Sequence, residues 1–372
     1  MLFRSQGLAW LTGIGVGMTG LGGLLFGWLS DRVGRRPALV AGLTACAAGN
    51  LLCAGATSPA LLLTARAVAG LGIGGTWGAG QAMVGETCPP AWRGRFGAIA
   101  QSGAPLGLGL AAIIGSFLTP VLGWRGVFVL AAAPVALLPW VRRLPESDLW
   151  TEHRATRAAP RPAGRTPAPR SRPILVQLVA PDLAGLFVRA FLLTGFNMSA
   201  YWFALIWLPR FLQRERGLGV FGSGWWTLVF VAGSLGGYLS FGWVSDRIGR
   251  RPAFTAYCGL GALALAAVAL LPSSAGAAGT LAAMFLAGVG TGTWSCYGPY
   301  FTELFPTRVR GAALAITMNV TRGVQFLAPV IIARVAGRWG LGGGIALAAG
   351  FSALAAGWIW LLPETAGRRL TR

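Results

Sequence analysis

An all-α polytopic membrane protein is the fold class this sequence predicts, on three observations. The 372 residues are 55% hydrophobic and only 11% charged, with a mean hydropathy of +0.63, whereas water-soluble domains carry roughly 25% charged residues. The apolar residues gather into runs near the ~20 residues that cross a ~30 Å hydrocarbon core. One eleven-residue phrase also occurs twice, GWLSDRVGRRP from Gly27 and GWVSDRIGRRP from Gly242, at an offset of 215 (242 − 27). A period that long marks a duplicated half-protein rather than a solenoid.

Taken in order, the runs are 8–29, 38–56, 60–85, 96–121 and 124–141, then 180–208, 222–244, 253–271, 276–300, 312–335 and 342–362. That is 11 helices, 5 and then 6, with a polar break between. The break at 142–173 sets eight arginines against Glu146, Asp148 and Glu152 and includes RATRAAPRPAGRTPAPRSRP. It has no apolar periodicity and reads as a mostly disordered linker. The expected division is an N-terminal bundle over 1–141, a linker over 142–177 and a C-terminal bundle over 178–372.

Two further pairs support the duplication. ETCPPAWRGR from Glu86 matches ELFPTRVRG from Glu303 at an offset of 217 (303 − 86). LPES at Leu144 matches LPET at Leu362 at an offset of 218 (362 − 144). The run 180–208 precedes its half's first landmark, and its counterpart would begin about 30 residues before Met1. The spans are therefore numbered 2 to 12, and span 1 of a six-plus-six plan is expected to be missing. Residues 1–29 belong to the fold rather than to a cleaved leader, because the charged phrase follows them directly.

The net charge of +21 does not point to nucleic acid, because all 31 basic residues are arginine and most sit in short loops. The loops at 30–37, 86–95, 142–177, 245–252 and 301–311, with the tail, hold 21 of them. The opposite side holds seven, so the positive-inside rule places the first set, and the C-terminus, in the cytoplasm. Four of five cysteines lie in apolar runs and the single histidine, His153, lies in the linker. No metal-ligand spacing or catalytic set emerges, so neither an enzyme nor a cofactor is expected. GLGIGG at Gly70–Gly75 lies inside an apolar run, where it serves close helix packing rather than a phosphate loop.

The repeated phrase resembles the G-x-x-x-D-R-x-G-R-R signature of the major facilitator superfamily between spans 2 and 3, echoed between spans 8 and 9. Gly27, Asp31, Arg32, Gly34, Arg35 and Arg36 match it, as do Gly242, Asp246, Arg247, Gly249, Arg250 and Arg251. RAVAGLGIGGTWGAGQAMVGE from Arg66 and TELFPTRVRGAALAITMNVTRG from Thr302 are similar to the metabolite/proton symporter branch of sialate and lactate carriers. This chain has Thr76 where that branch commonly has Glu, and it lacks the branch's acid in helix 1. The LPETAGRR ending is also similar to the sugar porters. The resemblance implies the major facilitator fold of two pseudo-symmetric bundles. It implies alternating-access transport of a small organic anion, with proton symport, by a monomer in the bacterial inner membrane. A sugar or drug carrier, or a truncated non-transporting relative, is the alternative.

The resemblance also places Asp31 opposite the start of span 11 and Asp246 opposite the start of span 5. There each carboxylate would meet the unpaired N–H groups and partial positive charge of a helix N-terminus. Arg32, Arg35, Arg36, Arg247, Arg250 and Arg251 would hold the loops through Glu86 and Glu303, with Arg93 and Arg308 in the matching loops of spans 5 and 11. Simple retention charges are the other reading of these arginines.

Charges inside a membrane are costly and point to function. Arg66, Arg189 and Arg322 qualify. Arg322 lies ten residues into its run, ~15 Å deep at 1.5 Å per residue, with Asn319 and Gln325 each within 60° of its face. Arg66, Trp77 and Gln81 share a face of span 4, Asn197 and Tyr201 share one of span 7, and Trp294 and Tyr297 offer aromatic walls on span 10. Arg189 reads as a structural partner of Asp182, and the other ten residues are the candidate substrate site, with Arg322 holding the anion. A countercharge on the missing span, or a structural arginine bonded to carbonyls, is the alternative.

Overall fold

The computed structural model describes residues 5–89, 92–158, 174–214, 220–270, 276–306 and 309–366. Every predicted span is present among them as helix. Spans 2 to 4 are α1 (Ser5–Val33), α2 (Arg35–Ala54) and α3 (Pro59–Thr87). Span 5 begins with α4 (Arg93–Ile113) and loosens into a π turn, Ile114–Leu118. The chain reverses at Gly123 inside α5 (Thr119–Ala131), and span 6 finishes through a 3-10 stretch and α6 (Leu138–Val141).

The linker differs from its expectation in part. Its first portion is α7 (Asp148–Ala158), and the short α8 (Ile174–Leu178) leads into the second half. Ser147 Oγ accepts a hydrogen bond from Trp150 N (3.3 Å), and Asp148 stands in the first turn. An N-cap and an acid at the positive helix end suffice to nucleate α7 locally. The remaining linker residues, 159–173, lie outside the described residues.

Spans 7 to 9 are α9 (Ala184–Arg214), α10 (Val220–Ile248) and α11 (Arg250–Leu270). Span 10 is α12 (Gly276–Gly290) and α13 (Tyr297–Leu304), parted by a 3-10 stretch at Thr291–Ser295. Span 11 is α14 (Arg310–Val324), a 3-10 turn at Gln325–Leu327, and the first part of α15 (Ala328–Trp358). Span 12 is the rest of α15 beyond Gly340. Eight spans are long and apolar enough among the described residues to cross a membrane.

The duplication is written in the backbone as well. The positive-φ glycines are Gly34 and Gly249, 215 apart (249 − 34), and Gly123 and Gly340, 217 apart (340 − 123). The first pair separates each half's first two repeated spans and the second reverses the chain into its last. Small residues set the packing within each half. A Cβ on Gly72 or Gly74 would collide with the α2 or α1 backbone, and one on Gly233 or Gly237 with that of α12. The GLGIGG stretch thus lies within α3 and brings backbones together, as small residues do in membrane helices.

The halves are unequally buried. Span 12 is 39% buried over its apolar window, packed along α9, whereas span 6 is 6% buried over its own. No described helix lies against span 6 as α9 lies against α15.

Gly340 has φ 69° and ψ 179°, a region where a side chain costs about 1–3 kcal/mol. Gly340→Ala should lower stability by that amount. Gly350→Ala, whose new Cβ has nothing within 4 Å, should be neutral or stabilising. Thermal unfolding of both purified variants in detergent checks the contrast.

Candidate functional site

The repeated phrase builds the same cluster twice at the loop-bearing end of the spans. Arg35 Nη1 donates to Asp31 Oδ1 (2.6 Å) and Ser30 Oγ (3.2 Å), and its Nε and Nη2 hold Glu86 (3.2 and 2.7 Å). Arg250 repeats this with Asp246 (2.8 Å), Ser245 (2.8 Å) and Glu303 (3.4 and 3.2 Å). The flanking arginines do otherwise. Arg36 Nη1 donates to the Leu144 carbonyl (3.2 Å) and Arg251 Nη2 to that of Trp360 (2.9 Å). Arg32 and Arg247 stack on Trp28 and Trp243, at 4.6 and 5.2 Å from the ring centroids. The Arg93 side chain and Arg308 lie outside the described residues.

Two carboxylates that sequence reasoning did not assign complete the clusters. Glu146 Oε1 accepts from Arg35 N (2.9 Å) and Oε2 from Arg36 N (3.1 Å). Glu364 does the same for Arg250 N and Arg251 N, both at 2.9 Å. Each closes over a positive-φ glycine, because a Cβ on Gly34 or Gly249 would crowd the carboxylate. Each therefore neutralises the N-terminus of the helix that follows. The signal was available in the LPES/LPET pair, but the spacing does not say what those acids touch.

Asp31 and Asp246 differ in setting. Asp246 lies against the start of α4: a Cβ on Gly94 would be 2.8 Å from its Oδ1, and Arg95 Nε is 4.0 Å away. Its side chain is 19% exposed, and Oδ2 is buried without a hydrogen-bond partner. Asp31 is 47% exposed and paired with Arg35.

The substrate candidates are brought together in two groups rather than one. Trp77 Nε1 and Gln81 Nε2 both donate to Gln101 Oε1 (2.9 and 3.0 Å), so buried Gln101 on α4 is a polar partner that sequence reasoning missed. Trp77 packs on the core of the second half, and Gln81 faces Gly298 of α13. Arg66 instead lies against Gly15 and 5.9 Å from the Phe128 centroid, inside the first half.

In the second half, Tyr201 stands 4.8 Å from Trp294, and Trp294 6.2 Å from Tyr297, between ring centroids. Asn197 Nδ2 donates to Thr293 Oγ1 (3.2 Å) and Cys258 Sγ (3.4 Å). The Nε of Arg322 is buried without a hydrogen-bond partner. Gln325 Nε2 donates to Ser199 Oγ of α9 (3.2 Å). Asn319 turns the other way, onto Gly20 and Gly23 of α1, with both amide atoms unpaired. Residues three before and three after Arg322 are each 60° from it but 120° from one another, so one faces each half. Trp294 lies within the 3-10 break of span 10, and Arg322 one turn before that of span 11. Broken helices of this kind place irregular backbone at midplane sites of carriers.

Two repeated helical halves, bolted at one end and meeting around a polar and aromatic centre, define a polytopic secondary carrier. The chain belongs to the Major Facilitator Superfamily, whose model matches residues 3–329, and it is a transporter rather than an enzyme. It is 32% identical over 354 residues to a protein assigned to metabolite transport in Haemophilus influenzae, covering 94% of this chain and 85% of that one. It is 31% identical over 362 residues to a protein assigned as a 4-methylmuconolactone transporter in Cupriavidus pinatubonensis, covering 94% and 80%. Its fold is similar to the proton:xylose symporter XylE bound to 6-bromo-6-deoxy-D-glucose. That match has a TM-score of 0.79 at 19% identity and covers 98% of this chain and 88% of the other.

Glu364 lies beyond span 12. Partial burial acts to raise its pKa, but four backbone N–H donors, from Arg251, Ala366, Arg250 and Thr365, hold it below the ordinary 4.5. A depressed carboxylate contributes stability above its unfolded pKa and loses it as pH falls through the folded one. Glu364→Gln should therefore melt lower than the parent at pH 7, and the two should converge only below pH 4.5. Melting curves across pH 3–7 check the sign.

Asp246→Asn removes a charge facing a helix N-terminus, where such contacts contribute ~0.3–1 kcal/mol at the surface and up to ~2 when partly buried. It should populate the inward-facing state. Increased labelling of cysteines introduced between α4 and α10 near Gly94 would register this, and unchanged labelling would refute it.

Proposed function

We propose that this chain moves a small organic carboxylate across the bacterial inner membrane by alternating access, with Arg322 as the anion's anchor. The observation that carries the reading is a half-buried arginine whose Nε is buried and unpartnered. Arg322 stands twelve residues after Arg310, ~18 Å along α14 at 1.5 Å per residue. A charge at helix centre costs about 2.5–3.5 kcal/mol on insertion scales. Among the described residues Arg322 makes no ion pair. A substrate carboxylate would complete the site through bidentate hydrogen bonds. A relative assigned to 4-methylmuconolactone transport supports a small oxygenated metabolite as cargo.

In this reading residues 1–141 and 178–372 are the two units that rock about the site, joined by 142–177. Asn319 reports to the first unit and Gln325 to the second, so span 11 senses both. Trp77 and Gln81 with Trp294 and Tyr297 face the centre from spans 4 and 10, and Asn197 and Tyr201 from span 7. Asp246, Arg250 and Glu303, with Asp31, Arg35 and Glu86, latch the cytoplasmic side when the carrier opens outward. The resemblance to the metabolite/proton symporter branch supports proton cotransport, and the arginine asymmetry supports a cytoplasmic C-terminus. A monomer would suffice, since each chain carries both halves.

Hydrogen bonds to charged groups contribute about 1.5–3 kcal/mol, so Arg322→Gln should cut carboxylate uptake by about 10- to 100-fold. Arg322→Lys, which keeps the charge but loses the planar fork, should fall between. Uptake into vesicles at matched expression measures both. Normal uptake by the two variants would end the proposal.

A further inference from the structure

Tryptophan favours the membrane–water interface, and near the repeated clusters four described tryptophans carry an arginine. Arg32 lies over Trp28, Arg154 over Trp150 and Arg251 over Trp360, at 4.6, 5.2 and 4.5 Å from the ring centroids. Among the described residues only Trp243 carries two. Arg247 of its own helix is 5.2 Å from the centroid, and Arg95 of α4 is 4.6 Å from it. The two guanidiniums thus come from opposite halves and stand at most 9.8 Å apart (4.6 + 5.2).

Two like charges on one ring call for an anion, and the protein supplies only part of one. Asp246 Oδ2 is 4.0 Å from Arg95 Nε, but its Oδ1 is already held by Arg250 at 2.8 Å. Arg247 is exposed and makes no ion pair among the described residues. The Arg95 side chain is 40% exposed, and its Nε is buried without a hydrogen-bond partner. A phosphate accepts charge-assisted hydrogen bonds of about 2.7–2.9 Å on several sides. One phosphate can therefore bridge both guanidiniums.

The surroundings say what such a phosphate is attached to. On α4, Arg95, Ile99, Leu106 and Leu110 fall within 60° of one another at 100° per residue, and the three apolar residues are exposed. On α10, Leu239, Trp243 and Arg247 follow at intervals of four, with Leu239 and Trp243 exposed. The two helices pack together, so each arginine heads an apolar stripe that runs into the membrane. A free phosphate would use the arginines alone, whereas a phospholipid uses arginines and stripes together. A zwitterionic headgroup would bring its own cation against two arginines, so the fit is to an anionic one. The other seam lacks the second arginine. Trp28 and Arg32 repeat Trp243 and Arg247, but Ala312 stands where Arg95 does, 217 residues on (312 − 95).

We propose that an anionic phospholipid binds at the α4–α10 seam, its phosphate bridging Arg95 and Arg247 beside Trp243. Its acyl chains lie along Ile99, Leu106 and Leu239, and it touches both halves at once.

Native mass spectrometry of the purified full chain tests this, with phosphatidylglycerol and phosphatidylcholine of identical acyl chains offered in equal amounts. The parent should retain phosphatidylglycerol preferentially. Each arginine near an anionic headgroup is worth about fivefold. Arg247→Gln should therefore lower the preference about fivefold, and Arg95→Gln with Arg247→Gln about 25-fold. Arg32→Gln, at the other seam, should match the parent. If the double variant does not melt cooperatively, Arg247→Gln carries the test alone, because its side chain is exposed. Excess inorganic phosphate should leave the lipid bound. Equal retention of the two lipids by the parent, or a parental preference in Arg247→Gln, would overturn the proposal. An equal fall in Arg32→Gln would show diffuse attraction by the net charge of +21 and overturn the site. Displacement by inorganic phosphate would assign the arginines to a soluble anion and overturn the lipid.

Discussion

The architecture depends on a carboxylate received by the first two N–H groups of a helix, made once in each half. Glu146 and Glu364 arrive from the ends of spans 6 and 12 and take the N–H groups of Arg35 and Arg36, and of Arg250 and Arg251. A helix start leaves such groups orphaned and carries a partial positive charge. One acid thus satisfies two donors while fastening a half's last span to the loop between its first two repeated spans. The glycine before each helix follows from this, since a side chain at Gly34 or Gly249 would occupy the acid's place. The carboxylates also leave the arginine side chains free. Arg35 and Arg250 reach instead to Glu86 and Glu303, so spans 4 and 10 join the same bolt.

Rigid edges of this kind suit a mechanism in which halves move as units, and the contacts between halves are of a different sort. There the neighbours are glycines and single polar groups: Gly94 with Asp246, Gly298 with Gln81, Gly20 and Gly23 with Asn319. Close backbone approach gives good dispersion contact, alongside Trp77 on the core of the second half and the Arg95 guanidinium over the Trp243 ring. The two phrases are also unequal, with Asp246 enclosed at the start of α4 and Asp31 largely open. Near-identical sequences therefore sit in different surroundings: Asp246 lies against α4 of the opposite half, and Asp31 pairs with Arg35 of its own.

Periodicity and repetition in the sequence determined the class, the eleven spans and the pairing of the halves, and the family resemblance implied the Arg–Glu clusters. These are properties of apolar run length, which the bilayer thickness imposes, and of residue order. The sequence also placed GLGIGG correctly within a helix, because a glycine loop needs a strand before it and none was present. It misread the start of the linker, where Ser147 and Asp148 nucleate α7 in a stretch whose composition argued for disorder. Composition averages over a segment, whereas a cap acts at a single residue.

What only the tertiary structure decided is which side chains meet. Helical phase put Asn319 and Gln325 equally close to Arg322, yet one faces α1 and the other α9. Shared phase likewise grouped Arg66 with Trp77 and Gln81, although the arginine turns into its own bundle and the other two converge on Gln101. Gln101 and the acids of LPES and LPET escaped notice for the same reason. Their roles come from partners 20 to more than 100 residues away. A one-dimensional period fixes the direction of a side chain about its own helix axis, and the packing of several helices fixes what lies in that direction.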